Sequence, residues 1–103
     1  MILIALAVAA SAPLLPPDIA SDLRGVAVIA VHRDPALAAD GAFYTAIIGA
    51  DAMDATGQSR EAVRDMILNQ VKIVRATKPG RTEIESCTRA MKARVAIERV
   101  ATG

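Results

Sequence analysis

The sequence predicts an all-α fold, a small bundle of about four helices that ends in an αα-hairpin. Three observations after Ser59 carry this prediction. Apolar side chains recur at steps of three and four in residues 59–76, namely at Val63, Met66, Ile67, Val71 and Val74. A turn at residues 77–81 contains Pro79 and Gly80, which end one helix and allow the next to begin. A second amphipathic segment then covers residues 83–101, so the two helices are predicted to fold back on each other.

The last predicted helix begins at a capping box. In that box the hydroxyl of Thr82 would accept from the backbone N–H of Glu85. Its main apolar stripe is Ile84, Cys87, Met91 and Val95. A second stripe of small or branched residues lies on another face, at Ala90, Ala93, Ile97, Val100 and Ala101. Because both faces are apolar, we expect this helix to contact more than one neighbour.

The first helix is predicted over residues 18–31, where Ile19, Leu23, Val26 and Ala30 follow a helical step. The run at residues 26–31 is branched enough to be a buried strand. No second strand candidate lies nearby, and an isolated strand has nothing to pair with. The helical interpretation is therefore favoured.

A second helix is predicted over residues 35–48. Asp34 is a suitable N-cap and Pro35 suits the first helical position. The helix should stop near Gly49. Residues 51–58, which include Asp54 and Gly57, are predicted to form a connecting loop.

Length and composition indicate one domain with a thin aliphatic core. The chain has 103 residues, of which 53% are apolar, and its only aromatic residues are Phe43 and Tyr44. A chain of this size buries only about two-thirds of its unfolded surface. We therefore expect a modest margin of stability.

The first residues resemble an export signal. Residues 2–10 are an unbroken apolar run, too short to span a bilayer but typical of the hydrophobic region of a signal peptide. Residues 1–12 are accordingly predicted to be a signal peptide, although a positive region before the apolar run is missing. The alternatives are an ordinary buried helix or, if uncleaved, a weak membrane anchor. Residues 13–17 are a proline-rich linker into a single helical domain at residues 18–103, located in the periplasm or secreted.

Charge is distributed unevenly along the chain although the net charge is only +1. Up to residue 58 there are two arginines and six aspartates, whereas the rest has ten Lys or Arg and five acids. Such a basic segment could attract nucleic acid or a lipid surface. Because it lacks stacking aromatics and its cations alternate with acids, nucleic acid is an unlikely partner and a solvated helix face is favoured. Membrane contact is expected only if the N-terminal segment is retained.

Three short motifs resemble a group of small, exported, uncharacterised bacterial helical proteins. They are Asp22-Leu23-Arg24, Phe43-Tyr44 and Cys87-Thr88-Arg89-Ala90-Met91. A looser similarity is to the Rap1a immunity and HdeA acid-chaperone proteins of the periplasm. The resemblance covers most of residues 18–103 and implies a helical fold and an exported compartment, without an assigned activity.

This chain departs from the group at two points. The group has a cysteine in the first helix that would form a disulfide with one in the last, and here Gly25 takes its place. The Phe-Tyr pair is also not followed by glycine at the group's short spacing. The first departure leaves Cys87 without that crosslink, which would be worth roughly 2–5 kcal/mol.

Cys87 is the candidate reactive thiol. A functional thiol needs a base or positive surroundings, for which Arg89 and His32 are the obvious residues. An intermolecular disulfide would need exposure, which a place on the main apolar stripe argues against. A small buried hydrophobic residue needs neither, and this interpretation is favoured.

The other candidate residues have structural interpretations. His32 is expected to cap the end of the first helix, where the helix dipole favours its charged form. Asp51 and Asp54 lack the spacing of a calcium loop and are predicted to be turn residues. The sequence therefore predicts no catalytic residue, no metal site and no cofactor.

These observations favour a non-catalytic periplasmic interaction factor, of the inhibitor, immunity or chaperone-like kind, that binds another protein through a helix surface. One alternative is a small thiol-dependent enzyme that uses Cys87. Another is a membrane-tethered structural protein. The oligomeric state is left open.

Overall fold

The computed structural model describes residues 15–102, which form four α-helices. These are α1 (Pro17–His32), α2 (Ala38–Thr56), α3 (Arg60–Thr77) and α4 (Arg81–Thr102), with a short 3-10 helix at Pro35–Leu37 before α2. There is no strand in the described residues, so the predicted all-α fold of about four helices is confirmed. The predicted signal peptide and the start of the linker lie outside the described residues.

Helix α1 lies at the centre of the bundle. Its buried residues include Leu23, Gly25 and the continuous run Val26–Ile29. It contacts all three other helices, and α2 does the same. The segment that could also have been a strand is therefore a helix that is apolar around much of its circumference, and such a helix requires several neighbours.

The backbones of the last two helices do not come close to each other. No Cα atom of α3 lies within 8 Å of a Cα atom of α4, and both helices pack against α1 and α2 instead. The turn that joins them falls at residues 78–80, as predicted for a helix–turn–helix at the end of the bundle, but the two helix backbones are not as close as a tightly packed pair would be. A physical reason is that α3 and α4 each bury one narrow stripe, and α1 offers each of them a larger apolar surface.

The core consists of two neighbouring clusters. The larger joins all four helices and contains Ile19, Leu23, Val26, Ile29, Tyr44, Ile48, Ala52, Val63, Met91 and Val95. The smaller contains Ala27 and Val28 of α1 with Val74 of α3. Tyr44 is the only aromatic side chain in either buried set. The prediction of a thin aliphatic core is confirmed.

Helix α2 is longer than predicted. Residues 51–56 continue the helix instead of forming a loop, and Ala52 is fully buried. The helix ends at Gly57, which has a φ of 69° and donates its N–H to the carbonyl oxygen of Met53 at 2.9 Å. Gly57 is thus the stop signal, because glycine adopts this left-handed conformation at little cost. Gly49, the predicted stop, is an ordinary helical residue.

Asp34 caps the segment that was predicted to start at Pro35, although its first turn is a 3-10 helix and the α-helix begins at Ala38, and Ser59 caps α3. The side chain of Asp34 accepts from the N–H of Ala36 at 3.0 Å, and Ser59 Oγ accepts from the N–H of Ala62 at 3.1 Å. The capping box of α4 is wrong, because the helix begins at Arg81 and already includes Thr82. The carbonyl of Gly80 accepts the first helical bond, from Ile84 at 3.1 Å.

Replacing Gly49 by alanine should stabilise the protein by about 0.5–1 kcal/mol, because alanine loses less backbone entropy in a helix. A Cβ atom at this position would meet no atom of the described residues within 4 Å. Urea unfolding followed by circular dichroism measures the change. Gly41→Ala is the matched control, since its Cβ would lie 3.3 Å from Cγ2 of Ile29. An equal gain in both variants would contradict this packing.

Candidate functional site

Cys87 lies on an open groove between α1 and the start of α4. The groove is also lined by Arg24 and Gly25 of α1 and by Glu83 and Ser86 of α4. The structure therefore places Gly25 and Cys87 on the same groove. A Cβ atom on Gly25 would lie 3.6 Å from the hydroxyl of Tyr44 and more than 4 Å from every atom of Cys87.

A bidentate ion pair closes one side of this groove. Arg24 Nε lies 2.7 Å from Glu83 Oε2, and Arg24 Nη2 lies 2.9 Å from Oε1. The hydrogen bonds from Arg24 lower the pKa of Glu83, and the same bonds raise the pKa of Arg24. This pair fixes the first turn of α4 against α1. No short-range pattern in the sequence predicts this pair, because the two residues are far apart in the chain.

The surroundings of Cys87 favour the protonated thiol. Its pKa is raised first by burial and then by the negative charge of Glu83, and Arg24 only partly opposes this. His32 and Arg89, the residues that could have activated the thiol, line a different groove with Asp34 and Lys92. The side chain is half-buried and packs against both core clusters. This is how a small structural hydrophobic residue packs.

Alkylation of native Cys87 should be several-fold slower than alkylation of the same thiol in the unfolded chain. The reason is that the thiolate is the reactive species, and both burial and Glu83 disfavour it. The two rates are measured by mass spectrometry after reaction with iodoacetamide at pH 7.5, with and without about 8 M urea. Urea at about this concentration unfolds small domains. A native rate equal to or above the unfolded rate would support the thiol-dependent enzyme.

The Arg24–Glu83 pair should make stability depend on pH. Because the pKa of Glu83 lies below its ordinary value of 4.5 in the folded chain, its contribution is present above that value and is lost as the pH falls through the folded pKa. Both side chains are about one-third exposed, so the contribution should be under about 1 kcal/mol. Glu83→Gln should therefore lower the thermal midpoint at pH 7, and this loss should shrink as the pH falls below 4.5 toward about pH 2.

The matched control for this variant is Glu85→Gln. Glu85 lies 4.0 Å from Arg81 on an exposed part of the same helix, so its replacement should have little effect at either pH. If Glu83→Gln shifted the midpoint equally at both pH values, the ion pair would not be the cause.

Helix α4 is further held by ion pairs to α2. Arg94 Nη1 lies 2.8 Å from Asp51 Oδ2, and Arg94 Nε lies 2.9 Å from Glu98 Oε1 within α4. Arg99 Nη2 lies 2.6 Å from Asp40 Oδ1. The guanidinium group of Arg99 also lies 5.8 Å from the centre of the Phe43 ring. The prediction that Asp51 is a turn residue is wrong, because it is helical and contacts Arg94.

The second apolar stripe of α4 faces solvent. All five residues, Ala90, Ala93, Ile97, Val100 and Ala101, are exposed. Ile97 is 63% exposed and Val100 is 83% exposed, the largest values among the large hydrophobic residues of the described chain. The main stripe packs inward as predicted, with Met91 and Val95 buried. Helix α4 does contact two neighbours, α1 and α2, as expected, but no described residue covers this second stripe. We call these five residues the outer stripe.

His32 is the last residue of α1 and is exposed, as expected for a terminal position. The cap itself is Arg33, which has a φ of 52° and donates its N–H to Ile29 at 3.2 Å. Among residues 15–102 there is no group of three or more His, Cys, Asp or Glu side chains that could hold a metal ion.

None of the helices in the described range combines the length and the apolar composition needed to cross a membrane.

The candidate site consists of a half-buried thiol beside an ion pair, and of an apolar helix face open to solvent. Comparison of the chain with protein-family models, curated proteins and solved structures finds no match.

Proposed function

We propose that this protein is a non-catalytic interaction factor that binds another protein through the outer stripe of α4. The observation that carries the proposal is the exposure of Ile97 and Val100 on one face of a well-formed helix. Leaving apolar surface in water has a free-energy cost of about 25 cal/mol per Å². A partner that covered this face would recover that free energy.

The outer stripe differs from the other exposed hydrophobic residues. Leu68 and Ile73 on α3 are each 48% exposed, and most of their neighbours on the helix surface, three and four residues away, are charged or polar, as is common for single surface residues. The outer stripe continues over about three turns of α4. A continuous apolar face of this kind marks an interaction surface more often than isolated residues do.

The compartment and the class of activity are part of the same proposal. The N-terminal pattern at residues 1–12 and the resemblance to small exported bacterial proteins both support a periplasmic or secreted protein. An inhibitor, immunity or chaperone-like factor acts by covering a surface of another protein, and such a factor requires a face like the outer stripe. Mass spectrometry of the protein from cells tests export, with a new N-terminus expected after Ala10 or Ala12.

Site-specific photocrosslinking tests the binding face. The full chain, carrying a benzophenone amino acid at position 97, is irradiated in its native compartment. We expect one specific adduct with another protein. The matched control carries the same probe at Leu68, which is also exposed but lies on α3. If neither position gave an adduct, or if both gave the same set of adducts, the proposal would be contradicted.

A further inference from the structure

The spacing of the outer stripe identifies the kind of structure that would cover it. Ala90, Ala93, Ile97 and Val100 are separated by steps of three, four and three residues. This alternation keeps apolar residues on one seam of a helix and is the pattern by which two helices pack along each other. The seam lies on the side of α4 opposite to the buried Met91 and Val95, at about 100° per residue.

The sizes of these side chains also suit a helix. Ala90 and Ala93 are small, so the backbone of a second helix could approach closely at the middle of α4. Ile97 and Val100 then supply branched side chains that could enter the spaces between residues of that helix. A lipid surface is a weaker fit, because helices that lie on membranes present large residues such as Trp, Phe and Leu, and the outer stripe has none.

Charge along one edge of the stripe narrows the choice of partner. Arg89 and Lys92 lie on this edge, both are exposed, and neither forms an ion pair with another described residue. The acid on the same edge, Glu85, is matched by Arg81 at 4.0 Å. Asp34 lines the same groove as Arg89 and Lys92. Three cations, Arg81, Arg89 and Lys92, thus lie near two acids, Glu85 and Asp34, which leaves this edge with a net positive charge.

A second copy of this chain would compensate these cations poorly. On the other edge of the stripe the acids are Glu83 and Glu98, and these already accept from Arg24 at 2.7 Å and from Arg94 at 2.9 Å. An antiparallel pair of α4 helices would bring the edge that carries Arg89 and Lys92 against the same edge of the second copy, with Lys92 near Arg99 of that copy. Like charges at such positions oppose pairing.

We infer that the outer stripe binds an amphipathic α-helix with acidic residues beside its apolar seam, contributed by another protein. This inference rests on the proposed function and specifies the chemistry of the partner. The apolar seam would supply most of the buried area. Acidic residues opposite Arg89 and Lys92 would set the orientation and speed the encounter.

Two synthetic helical peptides test the inference. Each has about four heptads with isoleucine and leucine on its seam. One has glutamate at the flanking positions and the other has lysine. Each is titrated into the full-length ¹⁵N-labelled protein, and amide shifts are followed by NMR. We expect the acidic peptide to bind, with the largest shifts at residues 89–101, and the basic peptide to bind at least about tenfold more weakly.

Variants then separate the two contributions. Ile97→Asp should abolish binding of the acidic peptide, whereas Leu68→Asp on α3 should not change it. The double variant Arg89→Glu, Lys92→Glu should bind the acidic peptide at least about tenfold more weakly than the native protein does, and it should bind the basic peptide more tightly. Circular dichroism confirms that each variant remains helical.

Four results would overturn the inference. The first is that the acidic peptide does not bind, and the second is that both peptides bind equally well. The third is that sedimentation shows the protein associating with itself through Ile97 and that this association excludes the peptide. The fourth is that the protein binds phosphatidylglycerol vesicles through Ile97 and does not bind the peptide. A specific photocrosslink at position 97 combined with any of these would leave the proposed function standing and remove only the acidic-helix partner.

Discussion

Replacing Leu23 by alanine is expected to lower the free energy of unfolding by about 3 kcal/mol, within a range of about 2–5 kcal/mol. Leu23 is 1% exposed and belongs to the larger core cluster, which joins all four helices. Since α1 is the element on which the others pack, little can move in to fill the space that the side chain leaves. Small domains are stable by only about 5–15 kcal/mol, so the loss should be a large part of the total.

Urea unfolding followed by circular dichroism measures this loss. Leu68→Ala on α3 is the matched control, because the same atoms are removed from a side chain that is 48% exposed. Its effect should be within about 0.5 kcal/mol. Equal effects in the two variants would show that α1 is not the centre of the core.

Arg94→Met is expected to destabilise the protein by about 1–2 kcal/mol, because it removes a half-buried cation that bonds to two carboxylates. The variant leaves Asp51 facing the region of Asp22, whose pKa is already raised, mainly by burial and also by the charge of Asp51. Arg94 is the positive charge that offsets this effect in the native chain. Its removal therefore leaves neighbouring carboxylates without compensation.

The pH dependence of this loss distinguishes its cause. If uncompensated carboxylates cause it, the difference between Arg94→Met and the native protein should shrink at about pH 3, where aspartates become protonated. Arg99→Met is the control, because Arg99 is 57% exposed and contacts Asp40 alone among the acids, so its loss should be under about 1 kcal/mol. A deficit in Arg94→Met that stayed constant with pH would point to lost packing of the side-chain stem instead.

How well the sequence predicted each helix depended on whether its signals were local. Ser59 and the Pro79-Gly80 turn mark the two ends of α3, and both ends were predicted to within one residue. In α2 the predicted stop was Gly49, but the helix continues through the buried Ala52 and ends at Gly57. Local pattern cannot decide such a case, because tertiary packing supplies the missing free energy.

The arrangement of the helices and the site could be predicted only in part. The apolar run at residues 26–31 indicated a buried element, but nothing in the spacing of α3 and α4 showed that both pack on α1. Arg24 with Glu83, and Arg94 with Asp51, join residues far apart in the chain, so no short-range pattern reveals them. Cys87 was correctly placed on an inward face, and the outer stripe was found, although it was expected to be covered.

The distance between the backbones of α3 and α4 has a consequence for cooperativity. The backbone of α4 comes close only to α1 and α2. Detachment of α4 would remove Ile84 and Cys87 from the smaller cluster, but its buried residues Ala27, Val28 and Val74 all belong to α1 and α3 and would stay together. The outermost helix can thus open as a separate unit at lower free energy than the whole domain, and its amide hydrogens are expected to exchange with solvent before those of α1.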